Sequence, residues 1–296
     1  MGVLALLFWS SSIAVSRSLA EKLGPVSMPA YVYTLGGVLS SLVLLSSAEK
    51  RRRLMHLRPA YLFGCGGLFV LNICTLYLAI GLAAGRQQVL EVGIINYLWP
   101  SLTLAFAIPL LGLRGRPALA LGVLLAFAGV ALATVKPGAW SPESFRQNLQ
   151  SNAAPYLLAA VAAVSWALYS NLSRRWAAGA AGEAVPLFLL AGGLIQMSAK
   201  LIAGETSRWN AEALGELGFL TVFPTMLAYV FWDRAMRKGR LVLVAALSYF
   251  IPLLSTLVSA LYLHTPPGRY IWLACALVIA AAAVCKLSLR EPETDR

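Results

Sequence analysis

The chain has 296 residues, of which 59% are hydrophobic and only 12% charged, and its formal net charge is +12. Soluble domains run about half apolar and about a quarter charged, so lipid is the expected solvent and no room remains for a soluble catalytic domain. The Lys and Arg residues collect at the ends of apolar runs rather than on one polar face, which fits membrane topology and excludes a nucleic-acid surface.

The first apolar run, residues 2–20, contains Trp9. Its Ser18-Leu19-Ala20 looks like a signal-peptide cleavage site. No basic stretch precedes the run, however, and Arg17 interrupts it, so a retained helix is expected. Further helical spans are expected at 28–47, 60–83, 87–111, 117–135, 154–176, 185–203, 213–236, 241–263 and 269–288. Such runs can cross about 30 Å of hydrocarbon at about 1.5 Å per residue. In lipid a segment must satisfy its own backbone, and the short alternating strands of a barrel are not visible. Cys65, Cys74, Cys275 and Cys285 fall inside these runs without metal-ligand spacing and read as packing residues. The polar stretch 137–153 is expected to be a linker, and Pro137, Gly138 and Pro142 preclude a continuous helix through it.

The sequence is repeated. Trp9, Ser16-Arg17 and Pro29 recur as Trp166, Ser173-Arg174 and Pro186 at an offset of 157. Gly85-Arg86 recurs as Gly239-Arg240 at 154, and Tyr97-Leu98-Trp99-Pro100 as Tyr249-Phe250-Ile251-Pro252 at 152. The expected organisation is a first five-helix repeat at 1–136, the linker, a second at 154–288, and a tail at 289–296. Five crossings per copy would invert the second copy, the usual way to build two gates around one midplane site. The predicted fold is therefore all-α, with ten transmembrane helices in two inverted repeats around a central cavity. If the N-terminus faces the cytoplasm, 16 of the 24 Lys and Arg lie at inner span ends and 8 at outer ones. Both termini are expected inside.

Intramembrane polar and aromatic groups are the candidate working residues. The richest span holds Glu91, Asn96, Tyr97, Trp99 and Pro100. Pro100 and its repeat mate Pro252 remove a backbone donor and are expected to kink their helices as gating points. Asn96 is a candidate for freed carbonyls or substrate. Tyr97 and Trp99 lie about 200° apart on a helix, at about 3.6 residues per turn, so they cannot share one cavity face. Trp9 and Trp166 occupy equivalent positions, and Trp166 is too deep for an interfacial belt. Asn72, Tyr169 and Tyr249 complete the candidate substrate-binding set, while Asn171 and Gln196 line the cavity or bridge helices. Glu91 is the candidate for coupling or charge recognition. It sits near a helix N-terminus, where the dipole and Arg86 offer a structural alternative. Asp233 with Arg237 at i+4 reads as a local pair near the inner surface. No catalytic constellation, cofactor motif or metal cluster is present in the sequence, so enzymatic activity is not expected.

These features together, with Trp9-Ser10-Ser11 in the first span and Gly-Arg before the fourth, resemble the drug/metabolite transporter superfamily with EamA-type repeats. The run Glu91 to Thr103, Leu23-Gly24-Pro25-Val26 and the Ser248 to Pro252 stretch are similar to its aromatic amino acid exporters. The resemblance implies export of aromatic and other neutral amino acids across a bacterial inner membrane, a central cavity and cytoplasmic termini. Many relatives end the fourth helix of each repeat with Leu-Gly-Glu. Here the sequence reads Leu111-Gly112-Leu113 and Leu263-His264-Thr265, so a coupling role for that acid does not transfer. Export of lipophilic cations, with Glu91 as counter-charge, and a non-transporting assembly role remain open alternatives. An aromatic ring suits Trp and Tyr faces, and its ammonium gains from a ring face. No cofactor or nucleic acid is expected as a partner. Lipid surrounds the chain, and one chain is expected to function alone.

Overall fold

The computed structural model describes residues 1–134, 142–177, 184–239, 241–262 and 271–290. Helix α1 spans Gly2–Leu23, α2 Ser27–Leu45 and α3 Ala48–Met55. A π-helical turn at Ala60–Cys65 continues into α4, Gly66–Leu82. Next come α5 (Arg86–Asn96), α6 (Trp99–Leu111) and α7 (Ala118–Thr134), then α8 (Pro142–Ser151) in the linker. The second half follows with α9 (Ala154–Trp176), α10 (Val185–Ala203) and α11 (Ala211–Leu220). A second π-helical stretch, Thr221–Leu227, leads into α12 (Ala228–Lys238), α13 (Leu241–Leu247), α14 (Phe250–Tyr262) and α15 (Ile271–Ser288). Among the described residues the helices are joined by short turns and irregular segments, and strand occurs only as one antiparallel two-residue pair, Arg114–Gly115 with Leu289–Arg290.

Among the described residues seven helical segments are long and apolar enough to cross a membrane: Gly2–Leu23, Ser27–Leu45, Ala60–Leu82, Glu91–Leu111, Ala154–Trp176, Val185–Ala203 and Ala211–Lys238. Three shorter apolar helices cover Ala118–Leu132, Leu241–Ser255 and Trp272–Ser288. Two expected spans are interrupted. Helix α5 stops at Asn96 and α6 starts at Trp99; α13 stops at Leu247 and α14 starts at Phe250. Proline is the physical cause in both. The ring of Pro100 or Pro252 cannot donate to residue 96 or 248 and crowds that carbonyl, so each helix ends one turn before it.

Other features are not legible in the hydropathy pattern. The cationic stretch after α2 is helical, with the Ser47 side chain accepting from the Lys50 N–H at 3.4 Å. The linker is helical from Pro142, a first-turn position that tolerates proline. The Arg146 guanidinium there holds the Glu143 carboxyl below its ordinary value. Pro137 and Gly138, expected to break the linker, lie outside the described residues.

Small residues set the packing. Helix α2 lies along α10, α4 along α9, and α7 along α15. A Cβ on Gly37 would overlap the Leu190 backbone, and one on Gly193 would sit 2.5 Å from the Thr34 nitrogen. The two helices thus meet backbone to backbone at two points, one glycine from each helix lying against the other's main chain. The partner pattern also maps onto itself when the halves are exchanged. Helix α1 packs on α14 and on the α11–α12 segment, as α9 packs on α6 and α4. Gly24 ends α1 at φ 101°, and a side chain there would collide with Glu205. That carboxylate accepts from the Val26 N–H at 3.1 Å and the Ser27 N–H at 2.7 Å, capping α2 where the dipole favours an anion.

Candidate functional site

Where α1, α4, α6, α9 and α12 converge, aromatic side chains meet in one continuous cluster. Trp9 lies with its ring 5.7 Å from Trp166, 5.3 Å from Tyr229 and 5.4 Å from Trp232. Trp166 is near-parallel to Trp232 at 6.0 Å and lies 5.1 Å from Tyr169. Trp99 stands edge-on to Trp232 at 5.3 Å and to Trp166 at 6.4 Å. Phe69 contributes from α4, 4.9 Å from Tyr229 and 5.4 Å from Tyr169. Edge-to-face and offset geometries of this kind are each favourable by about 0.5–1.5 kcal/mol beyond burial. Both halves of the chain supply rings.

The polar edge of one of these rings is fixed by a backbone irregularity. The Trp9 indole donates to the Pro224 carbonyl at 3.0 Å, within the second π-helical stretch. Extra residues in a π turn shift the i→i−4 ladder, which is why such turns present carbonyls to side chains. The Trp232 indole donates to Ser170 Oγ at 3.2 Å. Tyr33 and Tyr229 share a hydroxyl hydrogen bond at 2.8 Å.

Among the described residues a buried acid touches the cluster. Asp233 is fully buried on α12. Its Oδ1 accepts from Tyr169 at 3.0 Å and from Tyr61 at 3.3 Å, and its Oδ2 accepts from Arg237 Nε at 2.9 Å. The expected i+4 pair is therefore present. It is not an exposed surface pair, however: the Arg237 side chain is only 5% exposed. Arg237 Nη2 approaches Oδ2 to 2.8 Å without hydrogen-bond geometry, and this buried donor has no hydrogen-bond partner.

Of the sequence candidates, Trp9, Trp99, Trp166 and Tyr169 come together in the aromatic cluster. Phe69, Tyr229 and Trp232 join them unannounced. Their one signal is Tyr229, Trp232 and Asp233 at i, i+3 and i+4, a single helix face pairing rings with an acid. Tyr97 turns away from Trp99, between this cluster and a second one that contains Tyr249. Tyr249 is buried there and hydrogen-bonds Ser101 Oγ at 2.6 Å. Asn72 donates to the Ala162 carbonyl at 2.9 Å, tying α4 to α9. Asn96 Oδ1 is buried without a hydrogen-bond partner, as are both amide atoms of Gln196. Asn171 binds the Thr103 and Ala167 carbonyls, bridging α9 to α6.

Glu91 is held by the linker side of the molecule. It accepts from the Tyr156 hydroxyl and from Asn148 Nδ2 at 3.2 Å. Nearby, Gln88 donates to the Asn152 carbonyl at 2.8 Å and accepts from the Ala84 N–H at 2.8 Å. The expected partner, the Arg86 side chain, lies outside the described residues. No three His, Cys, Asp or Glu side chains converge among the described residues.

Known proteins resemble this chain over nearly its whole length. The EamA-like transporter family matches residues 1–135 and again residues 153–286. The aromatic amino acid exporter YddG of Salmonella typhimurium is 31% identical over 290 residues, covering 98% of this chain and 97% of that protein. The protein of the same name from Ancylobacter novellus is 32% identical over 295 residues, with 98% and 97% covered. A solved crystal structure superposes with a TM-score of 0.80 at 30% identity, covering 97% of this chain and 96% of the other.

Proposed function

This chain belongs to the EamA-like transporter family, and from that premise we propose that it exports aromatic amino acids across the bacterial inner membrane by alternating access. The family consists of transporters and the named relatives are exporters rather than enzymes. In our reading the helices form ten crossings, five from residues 1–136 and five from 154–288, with 137–153 outside and both termini cytoplasmic. The broken spans at 97–98 and 248–249 count once each. The exchange of helix partners between the halves supports a pseudo-twofold arrangement of this kind, and odd repeats related in that way are inverted.

One observation carries the substrate assignment: rings from both halves, Trp9, Phe69 and Trp99 with Trp166, Tyr169, Tyr229 and Trp232, meet at a single place. A substrate side chain that replaces some of these ring–ring contacts with its own gains the same stacking energy, so affinity and release stay balanced. A flat aromatic ring does this better than an aliphatic one. Glu91 is engaged by Tyr156 and Asn148 on the linker side, so its carboxylate is not offered to a cationic drug at this cluster.

The test is uptake of labelled phenylalanine into proteoliposomes, with and without a pH gradient. Uptake by the wild-type protein, competed by tyrosine and tryptophan but weakly by alanine, is the expected result. Absence of uptake under every gradient overturns the reading. Indiscriminate competition by alanine overturns the aromatic part alone.

A further inference from the structure

We propose that Arg237 is the group that receives the substrate carboxylate, and that Asp233, Tyr61 and Tyr169 are the positioning residues that hold it there. This deepens the exporter reading and rests on it. The starting observation is an imbalance. Asp233 uses most of its acceptor capacity, on two phenolic hydroxyls at Oδ1 and on Arg237 Nε at Oδ2. Arg237 uses little of its donor capacity: only Nε donates, and Nη2 is buried 2.8 Å from Oδ2 without hydrogen-bond geometry. A guanidinium presents five donors in a planar fork, matched to a carboxylate, and a buried one with an unused donor calls for explanation.

Structural support alone does not supply it. A buried ion pair is often no more stabilising than an apolar pair of similar volume, so its retention among so few intramembrane charges points to use. The other buried acids are accounted for differently. Glu216 pairs with Lys22 at 2.9 Å, at the end of α1 away from the aromatic cluster, and Glu91 is held by Tyr156 and Asn148. Among the described residues only the Asp233–Arg237 pair is joined to the aromatic cluster. The link is one side chain long: the Tyr169 ring packs 5.1 Å from Trp166 and 5.4 Å from Phe69, while its hydroxyl holds Asp233.

An amino acid with a ring and a carboxylate a few bonds apart has matching ends. Its ring takes a place among Trp166, Phe69 and Tyr229, its carboxylate accepts from Arg237, and its ammonium faces the ring surfaces and Asp233. Asp233 faces the Nε–Nη2 edge of the guanidinium, fixing its plane, and leaves Nη1 for the ligand. Lys at position 237 would keep the charge and lose the fork.

The experiment is competition against labelled phenylalanine in proteoliposomes, using phenylalanine methyl ester (carboxylate masked) and 3-phenylpropionate (ammonium absent). For the wild-type protein the ester should compete at least about tenfold more weakly than phenylalanine, a ratio worth roughly 1.4 kcal/mol. Phenylpropionate should compete better than the ester. In Arg237→Gln, or in Asp233→Asn/Arg237→Gln where no unpaired charge is left behind, the ratio of ester to phenylalanine should fall towards one. Arg237→Lys should fall between. Tyr61→Phe should shift the ratio in the same direction while leaving uptake measurable. An ester that competes as well as phenylalanine on the wild-type protein overturns the proposal whatever the variants do, and so does an unchanged ratio in the double variant. Failure of wild-type phenylalanine uptake is a different result, and overturns the exporter reading itself.

Discussion

Trp166 contacts Trp9, Phe69, Trp99, Tyr169, Tyr229 and Trp232, more rings than any other side chain in the cluster. Trp166→Phe keeps a ring and should leave phenylalanine uptake within a few-fold. Trp166→Ala should raise the half-saturating concentration by about tenfold, since losing one aromatic contact costs roughly 1.5 kcal/mol. Equal uptake in both variants would remove this side chain from the site. Glu91→Gln should retain uptake with little change in gradient dependence and lower the midpoint of thermal unfolding, because its carboxylate serves the linker contact with Tyr156 and Asn148. Strong loss of uptake at unchanged stability would return Glu91 to the transport step. Trp9 and Trp166 were legible in the sequence because the repeat offset singles them out against an apolar background. Phe69 and Tyr229 were not, since one aromatic residue more in a hydrophobic helix carries no period of its own. Asp233 was read as a local pair because i+4 spacing shows the Arg237 contact and hides the two tyrosines from other helices.

The paired helix interruptions lie at matching places in the two halves, before Pro100 and Pro252. Pro100→Ala restores a donor to residue 96 and should let α5 and α6 join. The expected effect is slower uptake with little loss of stability, read by comparing initial rates and unfolding midpoints. A rate equal to wild type would make the break incidental. The α2–α10 contact is sensitive in another way. Gly193→Leu must displace the Thr34 backbone and should reduce the yield of folded protein sharply, whereas Gly204→Ala faces open space but sits at φ 62° and should cost only about 1 kcal/mol. Proline breaks are legible because a missing N–H is written in the residue itself. The π-helical turns and the helices at 48–55 and 142–151 are not. They depend on which neighbours accept a carbonyl or cover a face, which hydropathy does not encode.

The proposed opposite orientation of the two repeats makes a direct labelling prediction. Single cysteines at Glu49 and Lys238 should react with a membrane-impermeant maleimide only from the cytoplasmic side, and those at Arg17 and Arg208 only from the periplasm. Labelling of 17 and 238 from one side would overturn the ten-crossing reading. The charge asymmetry is what suggests this arrangement in the sequence, because Lys and Arg report on the side of the membrane and not on packing. How the bundles touch was beyond it, since glycine contacts depend on three-dimensional crossing. Gly37 against Leu190 and Gly193 against Thr34 bring the two main chains together, so at these points no side chain has to disengage if α2 tilts against α10. They form a fulcrum. Helix α2 has 19 residues, about 28 Å, so a tilt of ten degrees about its middle swings each tip by about 2.5 Å, in opposite directions on the two faces of the bilayer. In the proposed transport cycle one hinge of this kind would widen one mouth while narrowing the other, so that the two entrances do not stand open together.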